Sequence, residues 1–146
     1  MEPKPLAAFA FGASVLVLLA AAPPHSSAAQ DEPSASEGWI PTPAEGDSNA
    51  KAFARVDNPS MYDIYLVSAS SELSGAVEFR RAAENEPKSL REITVPAYGS
   101  VSLSADSMYL ELLELTRPLE ASETILITVT TDAGVEIPIR AVVKTE

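Results

Sequence analysis

Ser107-Met108-Tyr109-Leu110-Glu111-Leu112-Leu113-Glu114-Leu115-Thr116-Arg117-Pro118-Leu119 carries the reading that decides the fold. Met108, Leu110 and Leu112 fall on one side of an extended chain, and Tyr109 and Glu111 on the other. That is the period-two pattern of a strand with one buried face.

The stretches on either side repeat the pattern. Downstream, Thr124 to Thr131 (TILITVTT) and Val135 to Val143 flank Asp132-Ala133-Gly134, which reads as a hairpin. Upstream, Val101 and Leu103 alternate with serines after a Pro96-Ala97-Tyr98-Gly99 turn. Ser89 to Val95 sets Leu90, Glu92 and Thr94 against Arg91, Ile93 and Val95. Tyr62 to Ala69 is rich in aromatic and β-branched residues, and Ala52 to Val56 stops at the turn signal Asp57-Asn58-Pro59-Ser60. Turn signals recurring roughly every 8–12 residues, with no long helical period, predict an all-β antiparallel sandwich. Glu72 to Glu86 is ambiguous. Leu73, Ala76, Val77 and Arg80 stand at helical spacing, whereas Val77 and Phe79 alternate with Glu78 and Arg80 as in a strand. We expect a strand over Val77 to Arg81, because tertiary context overrides propensity.

The N-terminal residues differ from this pattern. Leu6 to Ala22 is an apolar run of 17 residues, closed by Pro23-Pro24 and followed by the small residues Ser27-Ala28-Ala29. Residues 1–29 therefore read as a cleaved secretory signal, and an uncleaved anchor is the alternative, since the run is short for a bilayer span. The expected location is the periplasm or another exported compartment. No cysteine follows the run, which excludes a lipid anchor on cysteine in this sequence. Residues 30–38 (QDEPSASEG) are polar and acidic and are expected to be a disordered lead-in, with the folded domain over 39–146.

Composition narrows the function. The net charge is −11, and it stays there when Glu2 and Lys4 leave with the signal. Such a surface repels phosphate backbones and anionic headgroups, so neither nucleic acid nor a membrane beyond the signal segment is an expected partner. There is no cysteine, and the single histidine, His25, lies in the signal region. The domain thus has no imidazole, no thiol, and only the Met61 and Met108 thioethers. A Ser or Thr nucleophile lacks its base and a zinc site lacks its usual ligands, so no enzyme activity and no cofactor are expected. The six glycines are scattered singly and form no phosphate cradle.

Six short segments in order resemble the PCu(A)C family of periplasmic copper chaperones. Trp39-Ile40 resembles that family's opening A-W-V/I strand, and Ala52 to Pro59 its A-Y-M-x-L-x-N-P segment. Val77-Glu78-Phe79-Arg80-Arg81-Ala82 is similar to V-E-L-H-x-M, and Leu90-Arg91-Glu92-Ile93 to M-R-E-V. Val95 to Leu103 resembles L-P-A-G-G-x-V-x-L, and Ser107 to Leu119 resembles G-Y-H-L-M-L-M-G-L-x-x-P-L, while Arg140 fits the closing strand. The resemblance implies a cupredoxin-like antiparallel Greek-key β-sandwich. It also implies descent from proteins that carry Cu(I) on two His and two Met towards a respiratory oxidase, a donor set suited to a soft ion. In this chain the matching positions are Arg80, Leu90, Tyr109 and Glu111. Arginine cannot coordinate and leucine has no donor atom, so these are vacated ligand positions and no metal site is expected.

If the strand register is kept, Arg80 should lie near Glu111 beside Tyr109, as an exposed ion pair. The expected function is an accessory in oxidase copper-centre maturation that does not itself bind copper, with an oxidase assembly component as protein partner. The alternative is a binding module on the same sandwich whose partner or ligand is unrelated to copper.

Overall fold

The computed structural model describes residues 32–145, and among these described residues there are ten strands. The expected signal at 1–29 and the first residues of the lead-in lie outside the described residues. The strands are β1 (Ser34–Pro41), β2 (Ala50–Asp57), β3 (Ile64–Ser70), β4 (Ser74–Arg81) and β5 (Lys88–Leu90). They continue with β6 (Ile93–Val95), β7 (Ser100–Ser102), β8 (Met108–Leu115), β9 (Thr124–Thr131) and β10 (Glu136–Lys144). Among the described residues no helix is long and apolar enough to cross a membrane.

Alternation drives the two longest ladders. In β9 the buried set is Ile125, Ile127, Val129 and Thr131, and in β10 it is Ile137, Ile139, Ala141 and Val143. The two strands pair antiparallel from Glu136↔Thr130 to Val142↔Thr124. Their turn is the Asp132-Ala133-Gly134 hairpin, with Gly134 at φ 84°, a conformation glycine takes without strain. Segment 72–86 contributes β4, not a helix, because Val77 and Phe79 have Leu112 and Leu110 of β8 to pack beside.

The strand order is β5-β4-β8-β2-β1-β10-β9-β3-β6, with β7 also on β2. β2 joins the two layers: its first half pairs with β8 (Ala50↔Leu112 to Ala52↔Leu110) and its second half with β7 (Arg55↔Ser102 to Asp57↔Ser100). Between the layers lie Ile40, Val56, Leu66, Ile93, Leu110, Leu112 and the β9–β10 set, all but inaccessible to water. All ten strands and this core fall within 34–144.

Two expectations are corrected. Residues 34–38 are not a disordered lead-in: they form the start of β1, where Ser34, Ala35 and Ser36 pair with Asp57, Val56 and Arg55. Their polarity suits a strand whose side chains face water while its backbone is paired. A bulge between Ser36 and Trp39, with Glu37 at φ 54°, then resets the register so that Trp39 opposes Phe53. Gly38 sits in that bulge because a Cβ there would lie 2.7 Å from the Arg140 carbonyl oxygen. The sandwich is also not wholly antiparallel, since β1 pairs parallel with β10 from Trp39↔Val142 to Pro41↔Lys144.

Candidate functional site

Arg80, Leu90, Tyr109 and Glu111, which the resemblance reads as vacated ligand positions, fall on β4, β5 and β8. β4 and β8 pair antiparallel, with Arg80 opposite Tyr109, Phe79 opposite Leu110 and Glu78 opposite Glu111. Phe79 and Leu110 belong to the core, so pleating sends Arg80, Tyr109, Glu78 and Glu111 to the outer face. Leu90 does not join them. It is the partner of Phe79 and packs against the core, and Ser89 is the residue beside Arg80.

Glu78 and Glu111 oppose each other directly, and like charges at such positions destabilise a sheet. Arg80 resolves this. Its Nε stands 3.1 Å from Glu111 Oε1 and its terminal nitrogen 3.5 Å from Glu78 Oε1. Ser89 Oγ donates to the same Glu78 oxygen at 2.9 Å. On its other side Glu111 has Lys51 of β2 as its strand partner. The ion pair is not exposed as expected: the Arg80 and Glu111 side chains retain only 23% and 18% of their accessible surface. The Arg80 Nε–H does not meet hydrogen-bonding angles, so the contact is an ion pair in which one buried donor stays unsatisfied.

Tyr109 is a buried residue at 1% exposure, although it points away from the main core. Its ring meets that of Phe53 edge to face with centroids 6.4 Å apart, the Phe53 and Trp39 ring centroids are 5.2 Å apart, and Lys51 Nζ sits 5.0 Å from the Tyr109 centroid. Lys144 Nζ takes the same position over Trp39 at 5.1 Å. This aromatic row is a second, smaller apolar cluster on the outer face of β8, β2 and β1, capped by cations. Burial, and after it the Glu111 carboxylate, push the Tyr109 phenol above its usual pKa, against the opposing pull of Arg80. The sequence hinted at the row only through Trp39, Phe53 and Tyr109 on three separate strands, which pattern alone does not bring together.

Beside the row is a groove of about 600 Å³ between residues 41–50 and 103–105, with Trp39 and Phe53 on its wall and Lys51, Asp47 and Glu111 at its rim. The donors around Arg80 do not fit Cu(I). The oxygen-bearing side chains are two carboxylates, the Ser89 hydroxyl and a phenol held neutral, and a guanidinium stands among them. Neither thioether is there: Met61 is on an exposed loop, and Met108 Sδ lies 3.9 Å from Arg81 on the core side of β8. Among the described residues no group of three or more His, Cys, Asp or Glu could hold a metal ion.

The family profile described as "Putative lipoprotein LpqE-like" matches residues 34–143, most of the chain. The chain belongs to the LpqE-like family. Two of the solved structures similar to this LpqE-like domain that follow carry the PCuAC name. The copper-bound PCuAC domain from PmoF2 is 20% identical over 77% of this chain and 92% of that one, with a TM-score of 0.68. The apo PCuAC domain from PmoF1 is 22% identical over 77% and 92%, with a TM-score of 0.66. The Cu(I) form of DR1885 from Deinococcus radiodurans is 24% identical over 77% of each chain, with a TM-score of 0.62. At these identities the likeness establishes a shared fold. No curated protein matched the sequence. The LpqE-like match begins at the first residue of β1, which makes the polar Ser34–Gly38 stretch part of the family domain.

Proposed function

We propose that this LpqE-like protein is an exported copper-chaperone relative that does not carry copper and acts through contact with another protein. The observation that supports this reading is the Arg80 guanidinium between Glu78 and Glu111, at the positions where the resemblance would have ligands. Fixed positive charge there repels a metal cation, and the core-facing Leu90 brings no donor atom. The oxidase-related role is carried over from the resemblance: the scaffold would assist maturation of a respiratory copper centre as an accessory, with transfer left to other proteins.

The test is to delete the protein from the cells that make it and measure copper in the oxidase. A deficit restored by the wild-type chain supports the accessory role. Normal copper loading in the deletion strain overturns that role and favours a second reading, a binding module with a ligand unrelated to copper. The groove walled by Trp39 and Phe53 supports that second reading.

A further inference from the structure

The end of the sandwich opposite that groove is built from two loops, 58–63 and 96–99. Three of the most exposed large apolar side chains sit there: Met61 at 61%, Tyr62 at 72% and Tyr98 at 73%. Isolated exposed apolar residues need no explanation, but a contiguous group on an ordered platform does. Asn58, buried to 1%, fastens the two loops by donating from Nδ2 to the carbonyl oxygens of Tyr62, Val95 and Pro96. The Tyr98 N–H donates to the Ser60 carbonyl at 3.0 Å, and the Ala97 N–H to Asp63 Oδ1 at 2.8 Å. The two tyrosines and the methionine are therefore held out on adjacent, cross-braced loops.

Backbone strain points the same way. Tyr98 has φ 55°, the left-handed conformation that favours glycine and disfavours bulky residues. The next residue is Gly99, so the turn carries its aromatic side chain at the position where glycine would be free of strain. Such a cost persists where the side chain is used. Charge identifies what it is used for. Asp63 lies on the first loop, and Asp57 at its flank is paired with Arg55 at 3.1 Å, on a chain of net charge −11.

We propose that Met61, Tyr62 and Tyr98 form a docking surface for a protein partner that presents arginine or lysine around an apolar centre. The tyrosine rings offer faces to those cations and Asp63 offers counter-charge, while Met61 adapts to the apolar middle. This surface is distinct from the Arg80–Glu111 pair. It lies roughly 20 Å along β2 from Lys51, at about 3.3 Å per residue. It stands whether or not the accessory role in oxidase maturation is upheld.

The test follows amide resonances of residues 30–146 during titration with a synthetic peptide of alternating arginine and leucine. Shifts confined to 58–63 and 96–99, weakened by added salt, are expected. Tyr98→Gly should raise the unfolding midpoint by removing the strain, and should weaken peptide binding about tenfold or more. Shifts scattered over the acidic surface would overturn the proposal. Binding unchanged in Tyr98→Gly would overturn it too, as would response to neutral phosphatidylcholine vesicles in place of the peptide.

Discussion

Arg80 Nε lies 3.1 Å from Glu111 Oε1, across a strand pair in which Glu111 directly faces Glu78. The guanidinium thus sits where it neutralises two opposed carboxylates at once. Its partners do not contribute equally. Removing Glu111 leaves Arg80 beside Glu78, whereas removing Arg80 leaves two carboxylates facing each other.

Arg80→Ala should therefore cost more stability than Glu111→Gln, about 1–2 kcal/mol against less than about 1 kcal/mol for this partly screened cluster. Denaturant unfolding measures both. Combining Arg80→Ala with Glu78→Gln and Glu111→Gln should recover most of the loss. If Glu111→Gln proves the costlier change, the bridging role is wrong.

Tyr109 should ionise above the usual tyrosine range. Its phenol is raised in the folded state, so the unfolded chain releases this proton first. Stability from this group is complete below about pH 10 and declines as pH rises through the folded value. Spectroscopic tyrosinate titration should show a late step that Tyr109→Phe removes. Tyr109→Ala should cost about 3–5 kcal/mol, as loss of a buried aromatic does. A Tyr109 that titrates in the usual tyrosine range would mean that the ring is not buried.

Much of this arrangement could be read from the chain, and the exceptions share one cause. The alternation of Met108 to Leu112, the Asp132–Gly134 hairpin and the strand over Val77 to Arg81 are local patterns, and each is present. So is the convergence of Arg80, Tyr109 and Glu111, which follows once the register of β4 on β8 is kept. What could not be read depends on partners distant in sequence. Ser34 to Ser36 form a strand because β2 supplies its backbone partners, despite side chains that suggest disorder. Tyr109 is buried because Phe53 and Lys51 of β2 cover it. Leu90 turns to the core because three-residue β5 registers it with Phe79.

Gly38 is a position where added atoms have nowhere to go. A Cβ would approach the Arg140 carbonyl oxygen to 2.7 Å and Ile139 Cγ2 to 3.0 Å. Gly38→Ala should force β1 from β10 at a cost of about 1–3 kcal/mol, the range for overpacking. Thermal unfolding checks it, and an alanine tolerated without loss would mean that the β1–β10 approach is looser than described.

Arg117 grips Glu123 through two hydrogen bonds of 3.0 and 2.9 Å, pinning the loop between β8 and β9. That bond, and then the Glu120 N–H, hold the Glu123 carboxyl below its usual range. Because the folded pKa is depressed, the contribution is present above the unfolded carboxylate value and is lost as pH falls through the folded one. Glu123→Gln should therefore flatten part of the acid decline in stability. An identical pH profile in the variant would show that the pair contributes nothing measurable, as many exposed pairs do.

The central claim is that an arginine cluster stands in place of a copper site, and competition for Cu(I) against a chromogenic chelator tests it most directly. With Arg80 between two carboxylates and no thioether among them, residues 30–146 should leave the metal with the chelator at every protein ratio. Stoichiometric retention of Cu(I) by the wild-type domain, lost on substituting Tyr109 or Glu111, would contradict the account.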